Sequence, residues 1–86
     1  MIMEGPASII MYGADWCGAS RRVRLFLDSH SIVYTLIDID LDREAARQVE
    51  AINHGNRSVP TIVWPDGTFL VEPSNAQLAE KLGIKA

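Results

Sequence analysis

At 86 residues the chain has room for one compact domain, 1–86, and a second activity on a second domain is excluded. Hydrophobic residues make up 48% and charged residues 22%, the balance of an ordinary globular chain and not of a disordered or fibrous one. Eleven acidic against eight basic residues leave a net charge of −3, which argues against a nucleic-acid binder, and no apolar stretch is long enough for a membrane span. The opening MIMEGPAS has no basic, apolar and small-residue signal, so a cytoplasmic protein with residues 1–6 as a flexible tail is expected.

Taken in chain order, Ala7 to Met11 is a short β-prone run between Gly5-Pro6 and Tyr12-Gly13 and reads as a buried first strand. From Gly18 onward Val23, Phe26 and Leu27 fall at helical spacing with Arg21, Arg22, Arg24 and Asp28 on other faces, giving an amphipathic helix that ends near Ser29-His30-Ser31. Ile32 to Ile39 is rich in β-branched and aromatic residues and reads as the second strand. Asp40 or Asp42 caps a second helix that buries Ala45, Val49 and Ile52 and stops at Gly55-Asn56. Thr61 to Trp64 and Thr68 to Val71 form a hairpin through Pro65-Asp66-Gly67. Ser74 with Gln77 makes a capping box for a last helix, lined by Leu78 and Leu82 and closed by Gly83. The order is β-α-β-α-β-β-α, an α/β chain with one sheet and helices on its faces.

The chain has a single cysteine, so no internal disulfide forms and the thiol is either buried filler or a reactive group. Cys17 stands where the first strand gives way to the first helix. Free N–H groups and the positive end of the helix dipole favour a thiolate there, and Arg21 and Arg22 add positive potential against Asp15. A glycine and a loop beside the sulfur suit exposure better than core packing, so the reactive reading is preferred. Pro60 allows a cis bond after Val59, which would set an extended backbone edge, with the N–H and C=O of Val59 free, against Cys17. His30 and His54 lie near helix ends with no cysteine at metal spacing, and Asp38, Asp40 and Asp42 read as a solvated capping run; no metal site is expected. Trp64 is expected in the core and Trp16 on the substrate surface.

The run Trp16-Cys17-Gly18-Ala19-Ser20 at the head of a helix, with Arg57-Ser58-Val59-Pro60 before the third strand, resembles the glutaredoxin and thioredoxin superfamily over essentially the whole chain. The resemblance implies a thioredoxin fold with a four-stranded mixed sheet flanked by three helices. It also implies a cis proline at Pro60 and a thiol–disulfide oxidoreductase with Cys17 as nucleophile. Ser20 occupies the position of the resolving cysteine in dithiol relatives, which implies a monothiol route; whether that serine is native to the lineage or replaces a cysteine stays open.

Trp16, Gly18, Ala19, Arg21, Arg57, Ser58, Val59, Pro60, Ser74 and Asn75 are the expected contacts of a small thiol and of proteins carrying mixed disulfides. Glutaredoxins hold glutathione partly with a basic residue before the cysteine and a glycine-rich turn at the last helix. Here Ala14-Asp15 and Glu72-Pro73-Ser74-Asn75 stand in those places, though Arg57 and the start of the last helix remain available to an anion. The pattern is more similar to mycoredoxins, which share the Trp-Cys-Gly start, the Asn-Arg-Ser/Thr-Val-Pro segment and a Pro-Ser at the third helix. Mycothiol is therefore favoured over glutathione as co-substrate, with no bound cofactor and a monomeric protein. Two alternatives belong to other classes: an iron–sulfur carrier sharing a cluster across a dimer, as in glutaredoxins with Cys-Gly-Phe-Ser, and an interaction module with a vestigial cysteine.

Overall fold

The computed structural model describes residues 6–85. Seven elements follow in the expected order: β1 (Ile9–Gly13), α1 (Gly18–Ser29), β2 (Tyr34–Asp38), α2 (Arg43–Ile52), β3 (Thr61–Val63), β4 (Phe69–Val71) and α3 (Asn75–Leu82). The four strands form one mixed sheet in the order β2-β1-β3-β4, with β1 parallel to β2 and antiparallel to β3, and β3 antiparallel to β4. This is the thioredoxin-type α/β arrangement. Apart from Pro6, the expected tail at 1–6 lies outside the described residues.

Alternation along the strands divides the core in two, because successive side chains point to opposite faces. Met11 and Ile62 face α1 and α3, packing with Val23, Phe26, Leu27, Trp64, Leu78 and Ala79. Tyr12 faces the other way and packs with Ala14, Ile39, Val59 and the Ala45, Ala46 and Val49 stripe of α2. The sheet is thus covered on both sides, and β1 at its centre carries the chain directly into the Cys17 loop.

Among the boundaries that differ from the sequence reading, the starts of the first two strands have a clear backbone reason. The first strand runs from Ile9 to Gly13 and not from Ala7, because its pairing with β2 begins at Ile9 opposite Tyr34 and continues to Gly13 opposite Asp38. The second strand begins at Tyr34 and not at Ile32. The N–H of Ile32 closes α1 on the Leu27 carbonyl at 2.9 Å, and that of Ser31 closes it on Asp28 at 3.1 Å, with Ser31 at φ 56°. This is a Schellman termination with serine in the left-handed position where glycine is the commoner residue.

The two candidate caps of α2 are also separated. Asp42 accepts the Ala45 N–H at 3.0 Å and caps the helix, which leaves Asp40 for another partner. At α3 the capping box is complete: the Ser74 hydroxyl accepts the Gln77 N–H at 3.1 Å, and the Gln77 side chain accepts the Ser74 N–H at 2.8 Å. Gly83 ends that helix at φ 70°. Among the described residues no helix is long and apolar enough to cross a membrane.

Candidate active site

Cys17 is the N-cap of α1, with extended backbone at φ −88° and ψ 116° and no side-chain cap of its own. Its sulfur is half-exposed and sits over the loop that leads into β3. In the thiol form Sγ donates to the Val59 carbonyl oxygen at 3.6 Å. The Val59–Pro60 peptide bond is cis, and both residues are buried.

Burial pushes the Cys17 thiol up, but hydrogen bonding from the Ser20 hydroxyl and from the Ser20 and Ala19 N–H groups outweighs it. The Glu72 carboxylate opposes them, and the pKa ends below its ordinary value. These are the donors that a helix start leaves unused, now aimed at a sulfur that gains from them only when charged. Of the two arginines expected to help, Arg21 is exposed and Arg22 is engaged elsewhere. Arg22 donates to Asn75 Oδ1 at 2.6 Å and to the Pro73 carbonyl at 2.7 Å, tying α1 to the turn before α3.

Ser20 is buried, at 1% exposure, and its oxygen also accepts the Ala14 N–H at 3.4 Å. Gly13 makes room for it: a Cβ on Gly13 would stand 3.3 Å from Ser20 Oγ, tighter than ordinary van der Waals contact. The end of β1 and the first turn of α1 therefore hold this hydroxyl in place together.

The Val59 loop is anchored from below. Thr61 is fully buried; its hydroxyl donates to the Ser58 carbonyl at 2.7 Å and accepts from Asn53 Nδ2 at 3.2 Å. Asn53 Nδ2 also donates to the Val49 carbonyl at 3.0 Å, so the end of α2 and the start of β3 fix the backbone that faces the sulfur. On the other side, the Glu72 N–H donates to the Pro60 carbonyl at 2.8 Å.

Trp16 is exposed beside the cysteine and donates from its indole nitrogen to Asp40 Oδ2 at 2.6 Å. Leu41, the next residue after Asp40, is also exposed. Trp64 is in the core as expected, with the Lys81 ammonium 5.8 Å from its ring centroid.

The residues singled out from the sequence fall into two groups. Cys17, Ala19, Ser20, Val59 and Pro60 meet around the sulfur, with exposed Trp16 and Gly18 beside it in the chain. The others, apart from exposed Arg21, make structural contacts in this state. Arg57 pairs with Glu50 at 3.3 Å, Ser58 offers its carbonyl to Thr61, Ser74 caps α3, Asn75 takes Arg22, and Arg21 is exposed on α1. Sequence patterns alone do not single out Glu72 or Asp40 as site residues. For Asp40 the sequence holds no signal that separates capping from indole binding. For Glu72 the signal is a charged residue directly before the Pro-Ser of a helix start. Among the described residues no group of three His, Cys, Asp or Glu side chains could hold a metal ion.

This arrangement is the chemistry of thiol–disulfide exchange: an accessible sulfur with a depressed pKa and a fixed backbone edge beside it. Comparison with known proteins agrees. The glutaredoxin family model matches residues 9–70. Mycoredoxin 1 of Corynebacterium glutamicum is 38% identical over 76 residues, covering 88% of this chain and 94% of that protein. A Mycobacterium tuberculosis protein named as a glutaredoxin is also 38% identical, with 88% and 90% covered. Among solved structures, the glutaredoxin of Archaeoglobus fulgidus superposes with a TM-score of 0.76 at 25% identity, over 88% of this chain and 86% of that one. A thioredoxin-like protein shares the fold with a TM-score of 0.82 at 24% identity, over 93% of this chain and 100% of the other. The chain belongs to the glutaredoxin family of thiol–disulfide oxidoreductases.

Proposed function

We propose that this chain reduces mixed disulfides between proteins and a small thiol by a monothiol route, with Cys17 as nucleophile and mycothiol favoured over glutathione. The observation that carries the reading is the placement of the only cysteine at the start of α1, its thiolate favoured by Ser20 and by two backbone N–H groups. The Cys17 thiolate attacks the sulfur of the small thiol in the mixed disulfide. A Cys17–small thiol disulfide forms, and the protein substrate leaves as a thiolate that takes up a proton. A second small thiol, deprotonated, then attacks the adduct, giving its own symmetric disulfide and returning Cys17 as thiolate. The net exchange consumes one free small thiol, whose sulfur joins the one taken from the substrate in the symmetric disulfide while the protein sulfur is released as a thiol. Ser20 donates a hydrogen bond but cannot attack, so the second step is intermolecular.

Trp16, Gly18, Ala19, Arg21, Arg57, Ser58, Val59, Pro60, Ser74 and Asn75 form the proposed binding surface, with the Val59 backbone as its edge. Mycothiol is favoured for two reasons: the 38% identity to mycoredoxin 1, and the absence of a basic residue at Ala14-Asp15. The protein is proposed to work as a cytoplasmic monomer, where small thiols are kept reduced.

The test is intact-mass analysis of the reduced protein after incubation with oxidised mycothiol or glutathione, followed by turnover of a mixed-disulfide peptide with each thiol. A Cys17 adduct that the second thiol removes, faster with mycothiol, is expected. A folded sample with a titratable thiol that forms no adduct with either would overturn the mechanism.

A further inference from the structure

The turn between β4 and α3 holds a carboxylate where the sulfur can feel it. Glu72 is exposed and sits at φ 47°, a left-handed conformation that favours glycine. Its N–H is bonded to the Pro60 carbonyl at 2.8 Å, in the residue after the one whose carbonyl takes the Cys17 thiol. The residue after it, Pro73, accepts from Arg22 on α1 at 2.7 Å. The backbone of Glu72 is thus tied to the cis-proline loop on one side and to the cysteine helix on the other. These bonds hold the backbone from which the Glu72 side chain springs beside the loop that faces the sulfur.

The surrounding charges do not cancel it. Arg22 is committed to Pro73 and Asn75, Arg57 to Glu50, and Arg24 lies 3.7 Å from Asp15. Arg21 is exposed on α1, where it lines a groove with Arg24, Leu25 and Asp28. Asp40 is bonded to Trp16. Among the described residues, Glu72 is the charged side chain that acts on the sulfur.

We infer that Glu72 is a specificity-determining residue, a negative charge on a held backbone at the mouth of the site that disfavours anionic disulfide partners and favours neutral or cationic ones. A partner approaching the Cys17 sulfur through the Val59 edge passes this carboxylate whatever its other contacts. A small thiol bearing carboxylates meets repulsion, and an uncharged one does not. The inference rests on the thiol-exchange reading above and sharpens it to a charge class of partner.

A charge series separates the two. Hydroxyethyl disulfide is neutral, cystamine cationic and dithiodipropionate anionic, and all three are small and lack features that the protein could otherwise recognise. Mixed-disulfide formation at Cys17 is followed by rapid quench and mass spectrometry in the wild-type chain, Glu72→Gln, Glu72→Gly and Asp15→Asn. The ratio of cationic to anionic rates is the readout, because the thiolate fraction of Cys17 is common to all three and divides out. In the wild type the order cationic, neutral, anionic is expected. A unit charge about 4 Å away in water changes a rate by roughly fivefold at most. The spread should shrink by about threefold in both Glu72 variants, and the effect should vanish near 1 M salt, where the screening length is about 3 Å. Glu72→Gly suits the left-handed backbone, so it remains informative if the Gln variant folds poorly. Adducts that form with an unchanged spread in the Glu72 variants, or a spread that collapses in Asp15→Asn instead, overturn the inference. Absence of any adduct in the wild type overturns the exchange reading itself.

Discussion

Replacing Ser20 with alanine removes the one side-chain donor that favours the Cys17 thiolate while leaving the helix start intact. A hydrogen bond to a charged group contributes about 1.5–3 kcal/mol, and a half-exposed sulfur belongs at the lower end. About 1.5 kcal/mol is roughly a tenfold loss of thiolate at neutral pH. The remaining thiolate is more basic and so more nucleophilic, with a Brønsted coefficient near 0.4–0.5, which recovers about half of the loss on a logarithmic scale. The net expectation is an alkylation rate about threefold lower at neutral pH and higher than wild type well above pH 9, so that the two profiles cross. The sign follows from the direction of the shift: a depressed thiol pKa gives its advantage below the ordinary value of about 8.5 and none above it. The assay is iodoacetamide labelling across pH, read by intact mass, with circular dichroism confirming the fold. The Ala14 N–H loses its acceptor at the same time, costing about 1 kcal/mol and lowering Tm by roughly 4–8 °C. Profiles that superimpose, or that stay parallel without crossing, would refute the assignment of Ser20 as thiolate donor.

Three further outcomes follow from named contacts. Ser20→Cys should convert the Cys17 adduct to an internal disulfide with release of the small thiol, seen as a mass lower by two hydrogens than the reduced variant; an adduct that persists would show that the burial of position 20 keeps the second sulfur from the first. Thr61→Val should leave the Ser58 carbonyl and one Asn53 donor without their partner, lowering stability by about 1–3 kcal/mol in urea unfolding and slowing exchange at Cys17 through a looser Val59 edge. Ser31→Gly should raise Tm by roughly 2–4 °C, because glycine relieves the left-handed strain at φ 56° and its greater freedom when unfolded offsets only part of that gain. A lower Tm would mean that the Ser31 side chain contributes more than its backbone costs.

The sequence by itself determined the order of elements, the inward stripe of the first helix and the position of the reactive sulfur. These are local properties. Apolar spacing set α1 with Val23, Phe26 and Leu27 inward, the Ser74–Gln77 box set the start of α3, and a lone cysteine at a strand-to-helix junction left few chemical roles open. Strand ends were less legible, because pairing and not propensity defines them. Ile32 has every preference for a strand, yet its N–H is spent on closing α1. Only the tertiary structure decided which groups act on Cys17. Arg22 is five residues from the sulfur in the chain and was expected to favour the thiolate, but it reaches Asn75 and Pro73; Glu72 is far along the chain and comes to the site because β4 runs beside β3. Trp16 and Asp40 are likewise joined by their elements being neighbours in the sheet, β1 pairing with β2. A sequence pattern records what each residue can do within a few positions of itself, whereas electrostatics at a site depends on distance through space, and that is fixed only when the strands have paired.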